Sequence, residues 1–156
     1  MLGPRANPVL PNIWLGDIYD AHNRAFIRDK KINVVVNCTR DLPFARIPGI
    51  LKYRVPVHDN LDPKEIKSMG AMMPNILKVI RTHHLRGDRI LVHCAAGVQR
   101  SAIVVLSYLY KYHIHDPLTA YRYLKKRRSI VFWPSMNFRQ SFLSNYGHQL
   151  STRLPK

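Results

Sequence analysis

The apolar positions of this chain change their period several times between the ends. Ile13-Trp14-Leu15-Gly16 is a short apolar run ended by a turn, and 20–30 has the spacing of a helix. Ile32 to Val36 follows, β-branched and nearly uninterrupted, as in a strand buried on both faces. Leu51 to Val57 is a further strand, and Pro56 assigns it to an end or an edge of a sheet. Residues 64–84 read as helical with an irregular or broken start, because Gly70 and Pro74 oppose one straight helix. Arg89-Ile90-Leu91-Val92 is a central strand, and beyond the loop 93–101 Ile103, Val104, Leu106, Leu109 and Tyr110 recur at helical spacing. Asp116-Pro117 supplies an N-cap and a first-turn proline for a helix to about Arg128, and Ser135 to Gly147 reads as a closing helix.

Strand-like and helix-like segments therefore alternate, which predicts an α/β fold: a central, mostly parallel, twisted sheet of about four or five strands flanked by helices. At 156 residues the expected unit is one domain over 1–156, with its core at about 10–150 and loosely held ends at 1–9 and 151–156. No internal repeat or linker-like tract interrupts it.

Composition sharpens the picture in one respect. Apolar residues at 46% and charged ones at 22% are ordinary for a globular chain, but 25 Lys and Arg against 9 Asp and Glu leave a net charge of +16. Such a field favours anionic partners, whether phosphoproteins, nucleic acid or an acidic membrane surface. No run approaches the roughly 20 apolar residues of a membrane span, and MLGPRANPVLPN lacks the apolar core of a signal peptide, so membrane insertion is not expected. With Cys38 and Cys94 as the full complement of cysteine, a disulfide framework is excluded and a cytoplasmic or nuclear setting is expected.

The segment His93-Cys94-Ala95-Ala96-Gly97-Val98-Gln99-Arg100-Ser101 joins a core strand to a buried helix. Backbone N–H groups in such a loop can converge on one anion, and with the helix dipole they favour a thiolate at Cys94. Gly97 allows a tight backbone turn, and the planar fork of Arg100 can hold two oxygens of a phosphate. Ser101 can hydrogen-bond the Cys94 sulfur and improve it as a leaving group. The chemistry is attack on phosphorus, with no metal or other cofactor required. A zinc site from His58, His83, His84 and Cys94 matches no ligand spacing.

At these residues the chain resembles the cysteine phosphatase superfamily, whose signature is His-Cys, five residues, Arg and then Ser or Thr. Within it the chain is similar to the small dual-specificity phosphatases first recognised in a poxvirus, and the similarity runs from about Asn12 to Tyr146. It is carried by Ile13-Trp14-Leu15-Gly16-Asp17, Val34-Val35-Val36-Asn37-Cys38-Thr39 and Trp133-Pro134-Ser135-Met136-Asn137-Phe138. Ala102 stands where many members have Gly. The resemblance implies a three-layer α/β/α fold, a source in a large DNA virus, and hydrolysis of phosphotyrosine and phosphoserine or phosphothreonine in protein substrates through a cysteinyl phosphate. The phosphate-binding loop is then His93, Ala95, Ala96, Gly97, Val98, Gln99 and Arg100, with His93 supporting the loop by hydrogen bonding.

A departing alkoxide or phenoxide needs a proton. The family supplies an aspartic acid after a strand, and Val57-His58-Asp59-Asn60-Leu61-Asp62-Pro63 holds two candidates. The pattern Val55-Pro56-Val57-His58-Asp59 favours Asp59, with a few additional residues between this loop and the next helix; counting back from Cys94 favours Asp62, although Asp62 before Pro63 also reads as a helix cap. Cys38 reads as a buried residue ending a strand and, by similarity, as a redox partner for Cys94. Lys125-Lys126-Arg127-Arg128 reads as a solvated helix end, with a nuclear address or docking patch as the alternative, and Arg40 as a residue lining the substrate surface. Two other function classes remain open. An RNA 5′-phosphatase or triphosphatase on the same fold is encouraged by the charge but not by the loop interior, so nucleic acid is a less favoured partner. A non-catalytic phosphoprotein-binding module is opposed by the presence of Cys94, Arg100 and a candidate acid.

Overall fold

The computed structural model describes residue 3 and residues 5–156. Its strands are β1 (Asn7–Leu10), β2 (Ile13–Gly16), β3 (Val34–Asn37), β4 (Leu51–Arg54) and β5 (Ile90–His93). They form one sheet in the order β1-β2-β5-β3-β4, in which β1 is antiparallel to β2 and the other pairings are parallel. The helices are α1 (Ile18–Ala21), α2 (Arg24–Asp29), α3 (Pro63–Leu85), α4 (Arg100–Tyr112), α5 (Pro117–Arg127) and α6 (Arg139–Tyr146), followed by a 3-10 turn at His148–Arg153. This is the mostly parallel, helix-flanked sheet that the alternating pattern predicts.

Strand periodicity explains the layers. Ile13 and Leu15, Val34 and Val36, and Ile90 and Val92 lie in the larger apolar core with Met69, Met73, Leu77 and Ile103 of α3 and α4. Their alternates Trp14, Val35 and Leu91 lie in a smaller core with Phe26 and Ile27 of α2. A two-residue side-chain period on strands covered on both faces requires both sets to be apolar, which is why these runs look continuous in the sequence.

Several expectations need correction. Residues 20–30 form two short helices, because Asp17 makes a capping box with Asp20 at α1 and Asn23 accepts from the Phe26 N–H to start α2. The closing helix begins at Arg139, not at Ser135. The ends are not loose where they are described. Asn7–Leu10 pairs with β2, and Pro8 is tolerated because β1 is the sheet edge. At the other end Arg153 bonds Asp116 at 2.7 Å and Leu154 is buried. Residues 1, 2 and 4 of the expected N-terminal tail lie outside the described residues.

The expected irregular start of the third helix is also absent: α3 runs unbroken through Gly70 and Pro74. Pro74 cannot donate to the Gly70 carbonyl one turn earlier. Asn145 of α6 supplies the missing donor, its side-chain N–H lying 2.8 Å from that oxygen. A Cβ at Gly70 would meet the Ser144 Oγ at 2.9 Å, so glycine lets α6 approach closely enough for this repair. Replacing Asn145 by Leu leaves a carbonyl without a partner and is expected to cost about 1–2 kcal/mol in urea unfolding, with α3 helicity by circular dichroism otherwise retained.

Candidate active site

β5 ends on His93, and the loop Cys94–Gln99 passes from the carboxyl edge of the sheet into α4, whose first residue is Arg100. The direction of its amides follows from where its carbonyls are held. The Ala95 oxygen accepts from the Ile18 N–H at 3.2 Å, and that of Val98 from the Phe132 N–H at 2.8 Å. The Ala96 and Gly97 oxygens both accept from the Arg128 guanidinium, from Nη2 at 3.2 Å and Nε at 2.8 Å. The Cys94 oxygen accepts from His93 Nδ1 at 3.2 Å. In a trans peptide N–H points opposite to C=O. The N–H groups of Ala95, Ala96, Gly97, Val98 and Gln99 are thereby turned away from these donors, toward the concave side of the loop.

Gly97 is the turning point, at φ +67. A Cβ there would lie 2.5 Å from the Gly16 oxygen and 2.7 Å from Arg128 Nη2, so only glycine allows both the conformation and the approach. Cys94 Sγ is 3.1 Å from Ser101 Oγ on the first turn of α4, as the order of residues led us to expect. Arg100 donates from Nη1 to the Val57 oxygen at 2.9 Å, while its buried Nε has no partner among the described residues.

His93 is fully buried, and burial holds its pKa down at about 4. Because a carbonyl only accepts, Nδ1 carries the proton of the neutral ring. Its Nε2 has no partner among the described residues.

The loop carrying the two acid candidates is tied down from several directions. Glu65, nearly buried on α3, accepts from the His58 N–H at 2.9 Å and from Arg40 at 3.1 and 3.2 Å. Arg40 is thus held in an ion pair with Glu65 while its side chain remains exposed. Asp62 is the N-cap of α3 and accepts from the Lys64 N–H at 2.9 Å, so its carboxylate is engaged in starting a helix. Asp59 is exposed and accepts from Asn137 Nδ2 at 2.9 Å. Asn137 in turn donates its N–H to Gln99 Oε1, and Gln99 also donates to the Trp133 and Ser135 oxygens. The phosphate-loop candidate Gln99 is therefore a strut that joins the loop to the Asp59 segment through 133–137.

Cys38 lies at the end of β3, its N–H donating to the His93 oxygen at 2.8 Å. Burial, and then the neighbouring charge of Cys94, push its thiol well above the ordinary value. Of the four candidate zinc ligands, His83 bonds Asp88 and Tyr53 and His84 bonds Tyr108 and the Pro11 carbonyl, so they are not gathered at Cys94. The basic run 125–128 does not act as one surface either: Arg128 is buried and spends its fork on the loop, Arg5 and Asn7. Sequence reasoning missed Arg128, Glu65 and the tie from Asn137 to Asp59. A buried arginine at the end of a cationic run has the same letters as a solvated one.

A cysteine opening such a loop, with Ser101 against its sulfur and Arg100 at the first turn of the helix, defines the cysteine-dependent phosphatase class. The family model "Dual specificity phosphatase, catalytic domain" matches residues 13–148, and the chain belongs to that family. It is 31% identical to human dual specificity protein phosphatase 21 over 130 residues, covering 80% of this chain and 66% of that protein. With human dual specificity protein phosphatase 14 it shares 30% over 142 residues, covering 91% and 69%. The fold is similar to the crystal structure of a mouse putative dual specificity phosphatase complexed with zinc tungstate, with a TM-score of 0.81 at 24% identity over 97% of this chain and 91% of that one. The chain thus spans about two thirds of these two relatives, and 9% of human protein phosphatase Slingshot homolog 2, with which it is 28% identical over 134 residues.

Two outcomes follow. A histidine buried neutral favours the folded state fully above its unfolded pKa of 6.5, and this contribution is lost as pH falls from 6.5 through about 4, where the unfolded chain binds the extra proton. Unfolding free energy should fall by up to about 3 kcal/mol across that window, with the slope reduced in His93→Gln. For Arg128→Lys, a point charge replaces a fork that serves two carbonyls, so inhibition by orthovanadate should weaken by at least ~10-fold. Unchanged inhibition would mean that the loop keeps its shape without that fork.

Proposed function

We propose that this chain is a protein phosphatase that removes phosphate from phosphotyrosine and from phosphoserine or phosphothreonine through a cysteinyl-phosphate intermediate. The observation that carries the reading is the set of loop carbonyls drawn outward at Cys94–Val98, which leaves the intervening amides to face a tetrahedral oxyanion. The buried Nε of Arg100, without a partner among the described residues, supports it, since a phosphate oxygen would supply the acceptor that this N–H lacks.

In the first step the Cys94 thiolate attacks phosphorus. An S–P bond forms, the ester P–O bond breaks, and the Asp59 carboxyl gives its proton to the departing oxygen. In the second, water attacks phosphorus, the Asp59 carboxylate takes its proton, and the S–P bond breaks to return the thiolate. The Ser101 hydroxyl, 3.1 Å from the sulfur, stabilises that leaving thiolate. Asp59 is preferred to Asp62 as the acid because Asp62 is occupied as a cap. Phosphorylated proteins are the partners in this reading, and a reducing cytoplasmic or nuclear compartment, which keeps Cys94 a thiol, is the setting.

The test compares phosphate release from a phosphopeptide panel and from a triphosphate-ended RNA, using wild type and Cys94→Ser. Release from peptides that disappears in Cys94→Ser is expected. Release from RNA alone would favour an RNA 5′-phosphatase, and binding without turnover a recognition module. Asp59→Asn should slow alkyl phosphates by about 100-fold or more while reducing turnover of nitrophenyl phosphate far less, because a good leaving group needs no proton. Equal losses on both substrates would remove Asp59 from this role.

A further inference from the structure

β4 is the last strand of the sheet and pairs with β3 alone. The Leu51 and Val55 N–H groups donate to the Asn33 and Asn37 oxygens at 2.9 Å each, so alternate residues of β4 spend their backbone groups on the β3 side. Strand alternation turns the N–H and C=O of Lys52 and Arg54 the other way, to an edge that no strand among the described residues covers. The two faces beside that edge differ in chemistry. On the α3 face a cavity of about 340 Å³ runs between strand and helix, walled by Tyr53, Val55, Ala71, Met72, Ile76 and Val79. Its strand wall is held in place: the Tyr53 hydroxyl is bonded at 2.7 Å to His83 Nε2, whose Nδ1 is 2.7 Å from the Asp88 carboxylate. On the opposite face stand Lys52, exposed, and Arg54, which lies over the Phe44 ring beside the smaller core. Arg54 bonds the oxygens of Thr39, Arg40 and Leu42, none of them a carboxylate, and neither cation belongs to an ion pair among the described residues.

We propose that the β4 edge is a docking site for an extended segment of a partner protein in which carboxylate and aliphatic side chains alternate. Such a segment continues the sheet: its backbone bonds the outward groups of Lys52 and Arg54, and its side chains fall alternately on the two faces. The aliphatic ones enter the cavity over Met72, Ile76 and Val79, and the carboxylates stand beside Lys52 and Arg54, where opposite charges on neighbouring strands stabilise the pairing. Charge also decides against a second copy of this chain as the occupant. β4 set against β4 would bring Lys52 and Arg54 against the same cations, a juxtaposition that destabilises a ladder and that lysines on a sheet edge serve to prevent. The edge is separate from the phosphate loop, and its occupancy does not depend on the reaction carried out there.

The probes are two fluorescent peptides of one composition, Glu-Val-Glu-Val-Glu-Val and Glu-Glu-Glu-Val-Val-Val, with Kd read by fluorescence anisotropy. Both meet the same positive field of the chain, but the alternating one alone can set every carboxylate on one face of a strand and every valine on the other. Wild type should bind it about 10-fold more tightly than the block peptide. Methylating the backbone nitrogens of its glutamates, or instead those of its valines, should abolish that advantage in one case and preserve it in the other, because one set faces the β4 edge and the other faces away. Lys52→Glu should remove the advantage, whereas Lys30→Glu, the same charge change at an exposed position outside the cavity, should keep it. Equal Kd values for the two peptides in wild type, an advantage that survives Lys52→Glu or falls equally in Lys30→Glu, or two methylations that act alike would overturn the docking site. A wild-type dimer in sedimentation velocity that the alternating peptide dissociates would assign the edge to a second copy and overturn the partner named here.

Discussion

The Arg128 guanidinium, buried and bonded to the Ala96 and Gly97 carbonyls, is the interaction on which the rest of this site depends. A loop of small residues has no intrinsic reason to turn all its amides the same way. Here the opposite ends of the peptide units are held, by Arg128, by Ile18 and Phe132 N–H groups and by His93, and planarity does the rest. A charge-assisted hydrogen bond is worth about 1.5–3 kcal/mol, enough for two of them to hold the turn at Gly97 in one conformation. The fork also explains the order at the amino end: its remaining Nη1 donates to the Arg5 oxygen and the Asn7 side chain, drawing β1 against the end of α5.

The same loop organises the neighbouring segments that complete the site. Gln99 holds the 133–137 segment, Asn137 from that segment holds Asp59, and Arg100 holds the Val57 carbonyl at the root of the loop that carries Asp59. Glu65 closes the arrangement by binding both His58 and Arg40. Segments far apart in sequence are thus positioned relative to one sulfur by side chains that themselves need take no part in bond breaking. Preorganisation of this kind matters because stabilisation of a developing oxyanion depends on donors that do not have to reorient.

The elements with a clean period were legible in the sequence. β3 and β5 alternate between two apolar cores, and α4 keeps its apolar spacing, so sheet and buried helix could be read from hydrophobicity alone. The loop was legible because residue types and spacing state its chemistry locally. What could not be read depended on partners distant in the chain. Gly70 and Pro74 predict a broken helix until Asn145 supplies the donor that Pro74 removes. Arg128 reads as surface charge until the loop is folded against it, and Asn7–Leu10 reads as a tail because its Pro8 is permitted only at a sheet edge. The two acid candidates lay between: Asp62 resolves into a cap by local pattern, whereas the tie from Asn137 to Asp59 joins residues 78 apart in the sequence.

The measurement closest to the central claim is the amide spectrum of ¹⁵N-labelled protein titrated with tungstate, a tetrahedral stand-in for phosphate. The N–H signals of Ala95, Ala96, Gly97, Val98 and Gln99 should shift together and saturate at one anion per chain. Saturable binding that leaves those amides unmoved, with the shifts falling instead on exposed lysines and arginines elsewhere, would contradict the account.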